Sequence, residues 1–179
     1  MGPAASSTLV QIHRWLASIH GDGSGRSAVR RVRRSRSDVI EDVAEDLIDA
    51  TGVERKLLSK SIQETLFYCV GFEAIDYSRF KTQLIRYVDR QGESSFMQRF
   101  LSLYFFNFVW FHTGESFRNL ARTTDSFLKD MEFVERVCKK AVASKWKSFE
   151  QAHRHLDSTA AKELVRNIEQ HLRGNQNGS

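Results

Sequence analysis

Residues 96–112 read FMQRFLSLYFFNFVWFH, and eight of these seventeen side chains are Phe, Tyr or Trp. Arg99 is the only full charge among them. An enclosed aromatic ring buries about 150–250 Å², so a segment this dense must be wrapped by other elements or become an adhesive surface. It is too short to span a membrane. The uncharged run from Phe100 to Phe111 is twelve residues, about 18 Å as a helix against a hydrocarbon core of about 30 Å. It also lacks the period-2 alternation of a half-buried strand. Ser95 followed three positions later by Gln98 has the form of a capping box, and Gly114 stands where a helix would stop. Apolar residues fall all round such a helix, the pattern of an enclosed element. The stretch therefore predicts a buried central helix that ends near Gly114.

Working outward, the spacing predicts further helices on both sides. Thr8 to His20 carries Leu9, Ile12, Leu16 and Ile19 at helical intervals between Ser7 and Gly21. Val39, Ile40, Val43, Leu47 and Ile48 share one face of a helix over 38–51, and Gly52 follows. Leu57, Leu58, Ile62, Leu66 and Val70 mark a helix over 53–72, and Tyr77, Phe80, Leu84 and Val88 mark another, opened by Asp76 and closed by Gly92. Beyond Gly114, Phe117, Leu120, Thr124, Phe127, Met131, Val134, Cys138 and Ala141 recur in steps of three and four. They form a heptad-like seam on one long helix over 115–146, with an interruption at Thr123-Thr124-Asp125. Asp157 opens a last helix that runs to Arg173. The fold class expected is all-α: one bundle of six to seven helices around the aromatic helix, with a flexible basic N-terminal arm.

Charge divides the chain. Residues 1–37 hold seven arginines and one acid, whereas residues 38–179 hold 20 basic and 21 acidic side chains. The net charge of +5 thus belongs to the first 37 residues, and the body is balanced. The division expected is an arm over 1–37 with one short amphipathic helix, a bundle over 38–174 and a disordered tail over 175–179. Arg26, Arg30, Arg31, Arg33, Arg34 and Arg36 form a cluster suited to phosphate groups. Six phosphate contacts would give a salt slope of about −5. Aromatic residues are absent between Gly21 and Leu57, which argues against base-stacking recognition of single strands. The cluster therefore fits targeting or tethering to a nucleic acid or another anionic surface. The Ser- and Arg-rich, acid-poor composition also matches an organelle transit segment, mitochondrial for example. No secretory signal is present, and an intracellular, mainly cytoplasmic protein is expected.

Little in the chain has the form of a catalytic or metal site. His153 and His155 point about 200° apart on a helix, and His13 and His20 lack nearby Cys or carboxylate partners. Cys69 and Cys138 lie on apolar faces, where a thiol is packing. No metal and no cofactor is implied. Arg166-Asn167-Ile168-Glu169-Gln170-His171 is similar to the R-N-x-x-x-H motif of HEPN-family ribonucleases. That resemblance, six residues long, implies an all-helical, metal-independent ribonuclease in which Arg166 and His171 face a cleft between protomers and activate a ribose 2′-hydroxyl. A second alternative is a lipid or flat-cofactor pocket lined by Phe105, Phe106, Phe108, Trp110 and Phe111, with His112 as an axial ligand. The function expected first is a non-enzymatic interaction or adaptor module. Its partner protein, or a second copy of the chain, would dock on Phe117, Leu120, Phe127 and Met131.

Overall fold

The described residues of the computed structural model are 4–19, 36–71, 77–120, 123–152 and 155–174, and among them there are seven helices and no strand. The helices are α1 (Ala4–Ile19), α2 (Arg36–Asp46), α3 (Gly52–Val70), α4 (Tyr77–Gln91), α5 (Glu93–Leu120), α6 (Thr124–Ala152) and α7 (Ser158–Gly174). The aromatic segment lies on α5, which packs against α1, α3, α4 and α6. Its first half is the centre of the core: Phe96, Phe100, Leu101, Tyr104 and Phe105 are fully enclosed. Tyr104 meets Phe105 edge-on at 5.4 Å and stacks on Phe100 at 6.4 Å, arrangements that ring quadrupoles favour. None of the helices among the described residues is long and apolar enough to cross a membrane.

The one buried amide among the described residues of α5 has a defined role. Asn107 is buried, and its Nδ2 donates to Ser61 Oγ and to Glu64 Oε2 of α3, both at 3.1 Å. Ser61 in turn donates to the Leu57 carbonyl at 2.7 Å. A buried amide without partners would cost about 1–3 kcal/mol, so this small network fixes how α5 sits against α3.

Local chemistry explains the element ends. Only Gly92 separates α4 from α5, and it turns the chain at φ +81°, where a Cβ is unfavourable. Asp157 caps α7, its Oδ1 accepting from the Thr159 and Ala160 N–H groups at 2.8 Å each. At α6, Ser126 N–H donates to Thr123 Oγ1 at 3.1 Å and Thr123 N–H donates to Ser126 Oγ at 3.2 Å, a reciprocal cap of the capping-box kind. The guanidinium of Arg55 gathers the end of α2, donating to the Ala50 carbonyl at 3.3 Å and to the Glu45 carboxylate.

The structure corrects three expectations. Gly114 does not end the aromatic helix: it is a buried helical residue, and α5 continues to Leu120. A Cβ at Gly114 would stand 3.1 Å from the Trp110 ring, so the glycine makes room for an indole rather than a turn. The seam from Phe117 to Ala141 is not one stripe, because α5 and α6 break and fold back as an antiparallel hairpin. Ser94 at the start of α5 donates to Glu150 near the end of α6 at 2.5 Å, and Trp110 meets Phe127 edge-on at 5.2 Å towards the tip. Finally, α1 is no appendage. Ala5, Leu9, Ile12 and Leu16 are fully buried, and α1 packs on α7, α5 and α3. The boundary at residue 37 therefore cuts through the bundle. Residues 20–35 and the tail 175–179 lie outside the described residues.

Candidate partner-binding groove

Helix lengths create the site. α5 and α6 have 28 and 29 residues, about 42 and 43 Å, whereas α7 has 17, about 25 Å. α7 runs back along α6 from Asp157, and Leu172 near its end reaches Val134 and Cys138. Past that point nothing among the described residues covers the seam of the hairpin on this side. The result is an apolar groove of about 600 Å³, walled by Val109, Phe117 and Leu120 of α5 and Phe133 and Val137 of α6, with Leu172 of α7 also on its lining. Large apolar side chains stand exposed on this part of the hairpin: Phe111 is 57%, Leu120 79%, Leu128 49% and Phe133 59% exposed. Four of the seven exposed large apolar side chains among the described residues thus stand on this hairpin.

The predicted docking residues divide between two roles. Phe117 and Leu120 line the groove. Phe127 and Met131 are half-buried and outside its lining. Phe127 supports Trp110, which also stacks nearly parallel on Phe117 at 5.9 Å and on Phe106 at 6.1 Å. Val109, Phe133 and Val137 were not singled out from the sequence. Phe133 carries the readable signal, an aromatic out of phase with a stripe that already satisfies the core.

The other candidates fall as follows. Arg26, Arg30, Arg31, Arg33 and Arg34 lie outside the described residues, and Arg36 is the first residue of α2. Arg166 is exposed and His171 half-buried on α7, and five positions set them about 140° apart. Phe105 is enclosed whereas Phe111 is exposed, so the five rings proposed for a cofactor pocket do not face one cavity; His112 is exposed, against Phe108 at 4.5 Å. His20 and His153 lie outside the described residues, among which no group of three His, Cys, Asp or Glu could hold a metal.

A second concavity, of about 720 Å³, opens between α3, α4 and α5 with Lys139 of α6 on its edge. Arg86 and Arg90 of α4 and Arg99 of α5 line it together with Tyr68 and Tyr87. The Arg99 guanidinium lies 3.1 Å over the Tyr68 ring, Tyr68 meets Tyr87 edge-on at 6.2 Å, and Tyr87 Oη is 3.3 Å from Ser95 Oγ. Cys69 also lines this wall and is only half-buried, unlike the enclosed packing thiol expected of it.

Burial pushes both thiols up to about 12, against the hydrogen bond from Tyr87 and the Arg99 charge at Cys69, and with the Glu135 charge at Cys138. Burial also raises the phenols of Tyr87 and Tyr104, and the Tyr104 hydroxyl has no hydrogen-bond partner among the described residues. These groups keep their protons to higher pH in the folded chain than in the unfolded one. Their contribution to stability is complete below the ordinary thiol value of 9.0 and is lost as pH rises towards about 12. Thermal melts should therefore show Tm falling steadily above pH 9, with both thiols slow towards disulfide reagents at pH 8 until the chain unfolds. A Tm unchanged up to about pH 10.5 would contradict this.

Comparison of the chain with protein-family models, with curated proteins and with solved structures returns no match.

Proposed function

We propose that this protein is a helical interaction module whose α5–α6 tip receives an amphipathic helix from a partner protein. The observation that carries the reading is the open apolar groove itself, lined by Val109, Phe117 and Leu120 of α5, Phe133 and Val137 of α6 and Leu172 of α7, with Leu120 and Phe133 largely exposed. An apolar groove between two antiparallel helices admits the apolar face of a third helix. The lining on α5, from Val109 to Leu120, spans about 17 Å, or about three helical turns. The occupant would carry apolar residues at i, i+3 or i+4 and i+7 facing the groove. Burying each large rim side chain contributes about 1.5–3 kcal/mol, against which the cost of association is set. In this reading, the arginines between Arg26 and Arg36 tether the module to an anionic surface or direct its targeting.

The test pairs wild-type chain with a Leu120→Asp/Phe133→Asp variant. Both side chains are largely exposed, so Tm should stay within a few degrees. A photoreactive residue at position 133 should cross-link, in the native host, to one partner through a segment that is helical and amphipathic. The double variant should bind that partner at least about 100-fold more weakly, because two carboxylates would lose solvent against an apolar helix. Equal binding by both forms would remove the reading. Light scattering that shows a wild-type dimer and a monomeric variant would instead assign the groove to a second copy of the chain.

A further inference from the structure

The concavity between α3, α4 and α5 is built differently from the groove at the hairpin tip. Its lining includes Arg86, Arg90, Arg99 and Lys139 and, among the described residues, no carboxylate. Lys139 is partly neutralised by Glu135, 2.5 Å away on the preceding turn of α6. The three arginines form no ion pair among the described residues. Arg86 and Arg90 stand at i and i+4 on α4, a like-charge spacing that weakens a helix unless an anion sits between the charges. Arg99 faces them from another helix and is held over the Tyr68 ring at 3.1 Å, which orders the guanidinium before any ligand arrives. Neutral donors stand beside the cations: Gln98 and Ser95 also line the wall. The volume of about 720 Å³ is that of a small-molecule site. Tyr68 is 57% exposed, so ring surface beyond the Arg99 contact is open to a planar group.

We infer that this pocket binds a small ligand carrying at least two neighbouring phosphate groups, which Arg86, Arg90 and Arg99 grip together. Guanidinium forks match phosphate oxygens in pairs, and three forks converging from two helices exceed what one monoanion requires. This pocket shares no lining residue with the groove and is independent of the proposed partner helix. The phosphates are supplied either by a nucleoside di- or triphosphate, whose base would lie against Tyr68, or by a phosphorylated polyol, which would leave Tyr68 unused.

Calorimetry on the full chain, at about 150 mM salt to screen adventitious surface binding, tests the inference with four probes: tripolyphosphate, ATP, inositol hexakisphosphate and adenosine. The expected result is saturable one-site binding of at least one polyphosphate and none of adenosine alone. Arg86→Ala/Arg90→Ala, two exposed positions, should weaken binding by at least about 30-fold, since two charge-assisted contacts are lost. Lys147→Ala/Lys162→Ala removes the same charge from exposed positions outside the pocket and should change nothing. ATP binding tighter than tripolyphosphate, with the difference removed by Tyr68→Ala, identifies the nucleotide; tighter binding of the inositol phosphate, weakened by Tyr68→Ala no more than tripolyphosphate is, identifies the polyol. No binding of any polyphosphate overturns the inference. So does binding that the Arg86/Arg90 variant leaves unchanged, which would place the anion on other cations such as those at 26–36.

Discussion

Removing residues 1–37 is expected to abolish the cooperative thermal transition. If these residues were a detachable leader or a solvated arm, the truncated chain would melt like the full one. The buried face of α1 leads to the opposite outcome. Leu9, Ile12 and Leu16 are fully enclosed, and Val10 and Ile19 are 5% and 6% exposed. At about 1.5–3 kcal/mol for each buried aliphatic side chain, the helix accounts for roughly 8–15 kcal/mol of burial. That is the size of a whole domain's net stability, about 5–15 kcal/mol. Its loss would also uncover the faces of α7, α5 and α3 against which it packs. Circular dichroism melts of the full and truncated chains decide the matter. A milder variant separates packing from charge: Leu16→Ala keeps every arginine and should cost about 2–5 kcal/mol. Equal Tm values for the full and truncated chains would return α1 to the role of an arm.

Two phenylalanines six positions apart on α5 should respond in opposite ways to the same substitution. Phe105 is fully enclosed between the rings and aliphatic side chains of the core, whereas Phe111 is 57% exposed. Phe105→Ala removes an aromatic ring from a close-packed interior and leaves a cavity, a change that costs about 3–5 kcal/mol. In a chain of 179 residues this lowers Tm by roughly 6–20 °C. Phe111→Ala removes a ring that is already largely hydrated, and the change should stay within about 0.5 kcal/mol. Chemical and thermal denaturation of both variants measure the contrast. A large destabilisation at Phe111 would mean that the tip is covered in the free protein.

What could be read from the chain follows the range of the forces involved. The helix over the aromatic segment, the cap at Asp157 and the all-α class rest on contacts within a few residues, and periodicity reports those directly. Gly114 misleads because a glycine after an apolar run has two uses. The choice between a turn and a seat for Trp110 depends on the packing of Trp110 with Phe117 and Phe127. α1 misleads for the same reason, since its amphipathic pattern is sound but only α7, α5 and α3 say what it faces. The docking seam was half legible: Phe117 and Leu120 reach the groove, while Phe127 packs on Trp110 and Met131 is half-buried outside the lining. The arginine-lined pocket was not legible at all. Its cations come from α4, α5 and α6, and no linear spacing connects Arg86 to Arg99 or Lys139.

The keying of α1 into the bundle changes what a protease could accomplish at the arginine-rich stretch between α1 and α2. A cut there severs the backbone but removes none of the apolar contact that holds Ala4–Ile19 against its neighbours. The nicked molecule would remain a non-covalent two-fragment complex that co-elutes as one species and separates only in denaturant. Cleavage at this site would then act as a change of connectivity rather than a release.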